Sequence, residues 1–169
     1  MDEESVWQTE QFPLTFYKEG ETKTCVFWDM NDYPIPRGAD PASIYKSIKD
    51  AISKQGCDGD LFIQAYVDVH KSRFPEREYS DAGFQVEVFP RDEGGNHARY
   101  CSMFADMRLW SFANLTTPSN VILLAKITDD DMAFRLRFMC KKIYGYFCCT
   151  DRKLPARSDS SFLTSLFDL

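Results

Sequence analysis

Short apolar runs alternate along the chain with amphipathic segments. The apolar runs are typical of strands, and most are continuous rather than alternating, as expected for strands buried on both faces. Five runs fit this description: TCVFWD (24–29), GDLFIQAYVDV (59–69), FQVEVFP (84–90), VILLAKI (121–127) and YGYFCCT (144–150). Apolar positions spaced by three or four predict helices over residues 40–56, 99–115 and 129–143.

Capping residues and composition mark the ends of these segments. Asp40 and Pro41 suit the start of the first helix, and Gly56 suits its end. Residues 70–83 form a charged connection with room for one helical turn, and residues 91–98 have the composition of a loop. The polar residues 1–23 form a lead-in, and the tail 151–169 carries an amphipathic stretch that predicts a short docked helix.

The order of the elements predicts the fold class. Strands that alternate with helices give an α/β domain with a mainly parallel sheet covered on both faces, and 169 residues suit one such domain. In sheets of this kind ligands bind beyond the carboxyl ends of the strands. Chemistry is therefore expected in the residues that directly follow the apolar runs.

Charge and cysteine usage narrow the class of protein. The net charge of −6 argues against electrostatic binding of nucleic acid by the chain as a whole, although a local basic rim is compatible with it. The six cysteines lack zinc-binding spacing, so we interpret them as reduced thiols. The opening residues lack a signal-peptide core, and no apolar run reaches the about 20 residues that span a bilayer. These features predict a soluble intracellular protein, in the cytoplasm or nucleus.

Acidic residues follow two of the predicted strands. Asp29 and Asp32 follow the first, and Asp129, Asp130 and Asp131 follow VILLAKI. If these strands are parallel neighbours, their acids converge at one edge of the sheet. Asp106 lies in the apolar central helix, where an unpaired charge is costly, and this helix can bring it to the same edge.

A carboxylate cluster of this kind is suited to a divalent cation. Like charges brought together repel one another unless a cation neutralises them, and oxygen ligands suit Mg²⁺ or Mn²⁺. Such a metal supports phosphodiester hydrolysis. The alternative is that Asp129–Asp131 merely cap the following helix and that Asp32 and Asp106 are solvated. Spacing alone leaves both interpretations open.

Three motifs taken together resemble the NYN family of PIN-like nucleases, in particular the limkain-b1-type members common in plants. They are VFWDMNDYPIP (26–36), FADMRLWSFA (104–113) and VILLAKITDDDMAFRL (121–136). In the family's first motif the strand ends in an acid, which Asp29 matches, and a Pro-x-Pro run follows. Asp106 matches the acid of its central helix, and Asp129 and Asp131 match the two acids of its later strand end.

The resemblance implies a PIN-like three-layer α/β/α sandwich over residues 24–150 and a metal-dependent endoribonuclease. It implies catalytic, metal-holding roles for Asp29, Asp106, Asp129 and Asp131, with Asp32 as a further metal ligand where the family usually has Asn. Mg²⁺ or Mn²⁺ would be the cofactor and RNA the partner. KIT replaces the family's small ISG before Asp129, which favours the alternative of a catalytically weakened module that binds RNA or protein.

Candidate substrate contacts lie in the segments that follow the strands. They are Asn31, Arg37, Lys71, Arg73 and Lys126, which are expected to open on the acidic edge. His70 follows the second strand, His97 and Arg99 stand at the entry to the central helix, and all three are expected to open on the same edge. Tyr33 and Tyr100 are candidates for stacking on bases. A protein partner or a homodimer remains open at this level.

Overall fold

A computed structural model describes residues 23–68, 70–89, 95–114, 119–126, 130–131, 134–135 and 165–167. Its four strands form one sheet in the order β3-β2-β1-β4, and every neighbouring pair is parallel. The strands are β1 (Lys23–Asp29), β2 (Leu61–Asp68), β3 (Gln85–Phe89) and β4 (Ser119–Leu124). The strands that precede the two acidic motifs, β1 and β4, are parallel neighbours, which is the condition for the acids after them to lie at one edge.

Three helices cover the sheet on both faces. They are α1 (Pro41–Lys54), α2 (Glu76–Ala82) and α3 (Gly95–Ala113). Residues of α1 and α2 form the core on one face, and α3 forms the core on the other. The predicted three-layer α/β/α arrangement with a parallel sheet is confirmed.

The central strand β1 is buried on both faces. Cys25 and Phe27 pack towards α3, whereas Val26 and Trp28 pack towards α1 and α2. Successive side chains of a strand point to opposite faces, so a strand between two helical layers needs apolar residues at every position. This explains why the motif lacks alternation, and why a charged residue at its end is exceptional.

Helix α1 begins as its sequence predicts. The Asp40 carboxylate accepts a hydrogen bond from the Ser43 backbone N–H at 2.8 Å, and the Asp40 N–H donates to the Ser43 hydroxyl at 3.0 Å. This reciprocal pair satisfies two otherwise unpaired groups of the first turn. The isoleucines at spacing four are buried against the sheet, namely Ile44, Ile48 and Ile52.

Two predicted connections differ from the structure. Residues 95–98 belong to α3, so the loop prediction is wrong for them, because the apolar face of the helix outweighs the weak helix propensity of Gly95 and Asn96. The connection 70–83 contains helix α2, which ends at Gly83 with φ +108°. A side chain at Gly83 would be strained there, and its Cβ would lie 3.3 Å from the Tyr45 ring.

Several predicted segments fall outside the described residues, among them strand 144–150 and most of helix 129–143. In the tail, Ser165–Phe167 form one 3-10 turn. The Phe167 ring lies 5.2 Å from the Trp28 ring and 5.4 Å from the Tyr33 ring, so this turn packs on the α1 face of the sheet. In the described part of the chain, no helix has the length and apolar character needed to cross a bilayer.

Replacing Ile48 by Ala is expected to lower the free energy of unfolding by about 2–5 kcal/mol, because Ile48 is fully buried between α1 and the sheet. Urea denaturation followed by circular dichroism measures the change. Lys49→Ala, at an exposed position of the same helix, is the control and should change stability by less than about 0.5 kcal/mol. Equal effects of both variants would contradict the placement of α1.

Burial raises the pKa of the Cys25 thiol to about 12. Since only the thiolate reacts, about a thousandfold less of it is present than for a thiol with the ordinary pKa of 9.0. Iodoacetamide at pH 8 should therefore leave Cys25 unmodified in the native protein while the half-buried Cys101 reacts. Peptide mass spectrometry resolves the two sites, and urea should make both reactive. Rapid native labelling of Cys25 would refute its burial.

Candidate active site

The two strands that precede the acidic motifs, β1 and β4, lie side by side and end at the same carboxyl edge of the sheet. The chain runs from β1 through α1 to β2 on one side, and β4 joins β1 on the other side. Strand order therefore reverses at β1, and open α/β sheets bind their ligands at such a point. The location follows from topology alone, before any side chain is considered.

Asp29 is the last residue of β1 and is fully buried. Its Oδ1 accepts hydrogen bonds from the backbone N–H groups of Asn31 at 2.8 Å and Asp32 at 3.2 Å. Its Oδ2 accepts the Arg99 Nε–H at 2.6 Å, in an ion pair whose side chains are 0% and 6% exposed. One carboxylate thus shapes the turn after β1 and joins that turn to α3.

Asp32 links the same turn to the end of β4. Its Oδ2 accepts the Tyr100 hydroxyl at 2.5 Å and the Lys126 backbone N–H at 2.8 Å. The Tyr100 hydroxyl oxygen also lies 3.1 Å from the Lys126 carbonyl oxygen. Two consecutive residues of α3, Arg99 and Tyr100, therefore contact the two acids of the turn.

A second acidic pair lies further along the edge. Asp29, Tyr66 and Glu87 occupy matched positions on β1, β2 and β3, so their side chains share the face covered by α3. The Tyr66 hydroxyl donates to Asp106 Oδ2 at 2.6 Å, and Asp106 lies close enough to Glu87 to raise the pKa of that carboxyl. Asp106 is therefore not an isolated charge in an apolar helix, since tertiary contacts supply its partners.

The electrostatics of both pairs favour added positive charge or a retained proton. Burial raises the pKa of Asp29, the charge of Asp32 raises it further, and Arg99 offsets these effects only in part. Burial and then the neighbouring Asp106 raise the pKa of Glu87. Burial and the hydrogen bond to Asp106 raise the pKa of Tyr66, which keeps its hydroxyl a proton donor.

The donor chemistry of this edge fits a hard divalent cation in part. Carboxylate oxygens of Asp29 and Asp32 are the ligand type of Mg²⁺ and Mn²⁺, and the raised pKa of Asp29 means that a cation would be favoured there. The described residues, taken alone, contain no group of three acids, histidines or cysteines arranged to hold a metal. A full ligand set requires residues beyond them or rearranged side chains.

Two further acids were predicted for this site, Asp129 and Asp131. Asp129 lies outside the described residues. Asp131 is exposed and forms an ion pair with Arg135, with 3.3 Å between Oδ2 and Nε. The metal-binding and catalytic roles of Asp29, Asp32, Asp106, Asp129 and Asp131 stay predictions.

The basic side chains predicted as substrate contacts each lie in a different environment. The exposed Lys71 donates from Nζ to Asn31 Oδ1 at 3.1 Å. Arg73 donates to the carbonyls of Ile35 and Pro36, which anchors the loop after β1. Lys126 lies with Nζ 5.3 Å from the centre of the Tyr33 ring, and Arg37 is exposed. The substrate-binding roles predicted for these residues remain untested.

A small cleft of about 40 Å³ opens between the loops that follow β1 and β2. It has room for a water molecule or two but not for a base. Its walls come from both loops and the ends of both strands, and include Asn31, Pro34, Ile35, Asp68, Lys71, Ser72 and Arg73. A polynucleotide would therefore lie across this surface rather than enter it.

Sequence reasoning missed or misplaced four residues of this edge. Arg99 was expected to contact substrate from the entry to the central helix, and this is wrong, because its side chain is buried against Asp29. Tyr100 packs against Asp32 instead of presenting its ring as a stacking platform, being only 4% exposed. Glu87 and Tyr66 were not predicted, although the alternation of FQVEVFP places Glu87 in phase with Phe89.

Comparison with known proteins agrees with this architecture. No curated protein matches the chain, whereas the sequence model of the NYN domain matches residues 23–157. That match spans both acidic motifs and all four strands described above. The chain therefore belongs to the NYN domain family of PIN-like nucleases.

Proposed function

We propose that this protein is a divalent-metal-dependent endoribonuclease acting at the carboxyl edge of its sheet. The observation that carries the proposal is the fully buried Asp29 at the end of the central strand, with Asp32 beside it. A buried acid with a second acid beside it at a topological switch point is costly for stability and is typical of a functional site. Membership in the NYN family supports the reaction class.

Asp29 and Asp32 would hold the metal, together with Asp106, Asp129 and Asp131 as the sequence predicts. Mg²⁺ or Mn²⁺, when bound, would polarise the phosphodiester and ease deprotonation of the attacking water. The turn after β1 would keep Asp29 in place, because two backbone N–H groups hold its Oδ1. Tyr66 would orient Asp106 through its hydroxyl hydrogen bond.

Lys71 is the best candidate for contact with the RNA backbone. An ammonium group has three donors, and the hydrogen bond to Asn31 uses one of them, which leaves donors for a phosphate oxygen. Arg73 is better suited to positioning, since it bonds to carbonyls of the loop that carries Asn31. Lys126, on the other side of Asp32, would form a basic rim together with Lys71 and Arg73.

A second candidate function is RNA binding without cleavage. The Asp29–Arg99 ion pair favours it, because an internal cation already neutralises the acid that would hold the metal. Under this alternative the basic rim retains its role, while Mg²⁺ and Mn²⁺ are dispensable. The two functions differ in whether RNA is cut.

Cleavage of a labelled single-stranded RNA in Mn²⁺ or Mg²⁺ is expected, and EDTA should abolish it. Asp29→Asn should lower the cleavage rate at least about a hundredfold, because it removes one charged metal ligand. Denaturing gel electrophoresis measures the products. Asp60→Asn makes the same charge change at an exposed position of the opposite edge and should leave the rate unchanged.

Asp129→Asn provides a second test if Asp29→Asn is unstable, and thermal melts identify that case. Cleavage that survives EDTA and both active-edge substitutions would refute the metal mechanism. Binding of RNA with no cleavage under any condition would favour the second candidate function.

Lys71→Ala should weaken RNA binding several-fold and reduce the slope of log K against log salt concentration by about 0.7, the value for one phosphate contact to a single strand. Fluorescence anisotropy in EDTA measures both quantities without cleavage. Lys49→Ala, an exposed lysine on α1, should change neither. An unchanged salt slope in Lys71→Ala would remove Lys71 from the binding surface.

A further inference from the structure

We propose that Arg99 is a built-in counter-cation of Asp29, which competes with the divalent ion for the same carboxylate. The inference rests on the proposed function, because it concerns regulation of that metal site. It predicts that the apo domain is stable without metal and that Arg99 lowers its affinity for Mn²⁺ or Mg²⁺.

The first argument is that the protein already occupies both oxygens of Asp29. Two backbone N–H groups of the turn bond to Oδ1, and Arg99 Nε bonds to Oδ2 at 2.6 Å. The bonds to Oδ1 come from residues two and three positions along the chain, so they persist as long as the turn does. A metal that approaches Asp29 therefore approaches the oxygen that Arg99 holds.

The second argument is electrostatic. Both side chains of the pair are buried, so little water screens the charges around them. A guanidinium and a divalent ion on one carboxylate oxygen would repel each other strongly under these conditions. Binding of the ion consequently requires Arg99 to move away. The free energy lost with the ion pair then weakens metal binding by the same amount.

The third argument concerns the neighbouring contacts. The Arg99 guanidinium lies 5.7 Å from the ring of Tyr100, whose hydroxyl bonds to Asp32. Tyr100 can keep Asp32 in place while the longer Arg99 side chain changes rotamer. The other described cations of this edge have different contacts, with Lys71 on Asn31 and Lys126 over Tyr33.

Isothermal titration with Mn²⁺ alone, without RNA, tests the inference. Arg99→Met retains the aliphatic part of the side chain but removes its charge, and it should bind Mn²⁺ at least tenfold more tightly than the native protein. Arg99→Lys retains a charge and should bind within about threefold of native affinity. The double variant Asp29→Asn/Arg99→Met should lose the gain, because its carboxylate is absent.

Thermal melts give an independent readout. Without metal, Arg99→Met should melt below the native protein, since it leaves Asp29 buried without its ion partner. Saturating Mn²⁺ should raise the midpoint of Arg99→Met more than that of the native protein. If Arg99→Met does not fold, Arg99→Gln, which keeps a hydrogen-bond donor, takes its place in both experiments.

Unchanged Mn²⁺ affinity in Arg99→Met, or an equal gain in Arg99→Lys, would overturn the inference. RNA cleavage by the native protein combined with no affinity gain in Arg99→Met overturns the Arg99 inference alone. Tighter Mn²⁺ binding in Arg99→Met, with no cleavage of RNA by any variant, supports the Arg99 inference and overturns the endoribonuclease.

Discussion

A buried negative charge at the end of the central strand is the constraint on which this edge of the molecule depends. Asp29 is fully buried, so its carboxylate needs hydrogen bonds and a counter-charge within the protein. The turn after β1 provides two N–H donors and α3 provides Arg99. Removing one partner of a buried ion pair commonly costs about 3–5 kcal/mol. The position of α3 and the conformation of the turn are thereby coupled.

The same helix organises the second acidic pair. Arg99 and Asp106 are seven residues apart in α3, so two helical turns separate contacts on the same face. Arg99 pairs with Asp29 of β1. Asp106 accepts a hydrogen bond from Tyr66 of β2 and lies near Glu87 of β3. The edge thus combines acids that favour a cation with protein groups that stabilise those acids in its absence.

Much of the fold was predictable from local patterns. A strand between two helical layers needs apolar residues on both faces, and the continuous apolar runs 25–28 of β1 and 121–124 of β4 met this requirement in the sequence. The capping residues and isoleucine spacing predicted α1 for equally local reasons. The ends of the helices were predicted less accurately than their existence. Helix α3 begins four residues before its predicted start, because packing against the sheet compensates for glycine and asparagine in its first turn.

By itself, the sequence determined the α/β class and the apolar runs that form β1 and β4, because hydrophobic period is a local property. That these two strands are neighbours was decided by the tertiary structure. Only the tertiary structure decided the partners of each acid. Arg99 is 70 residues from Asp29 and Tyr66 is 40 residues from Asp106, so no local pattern pairs them. The packing of a helix across the sheet brings each buried charge next to its partner, and that packing exists only in the folded chain.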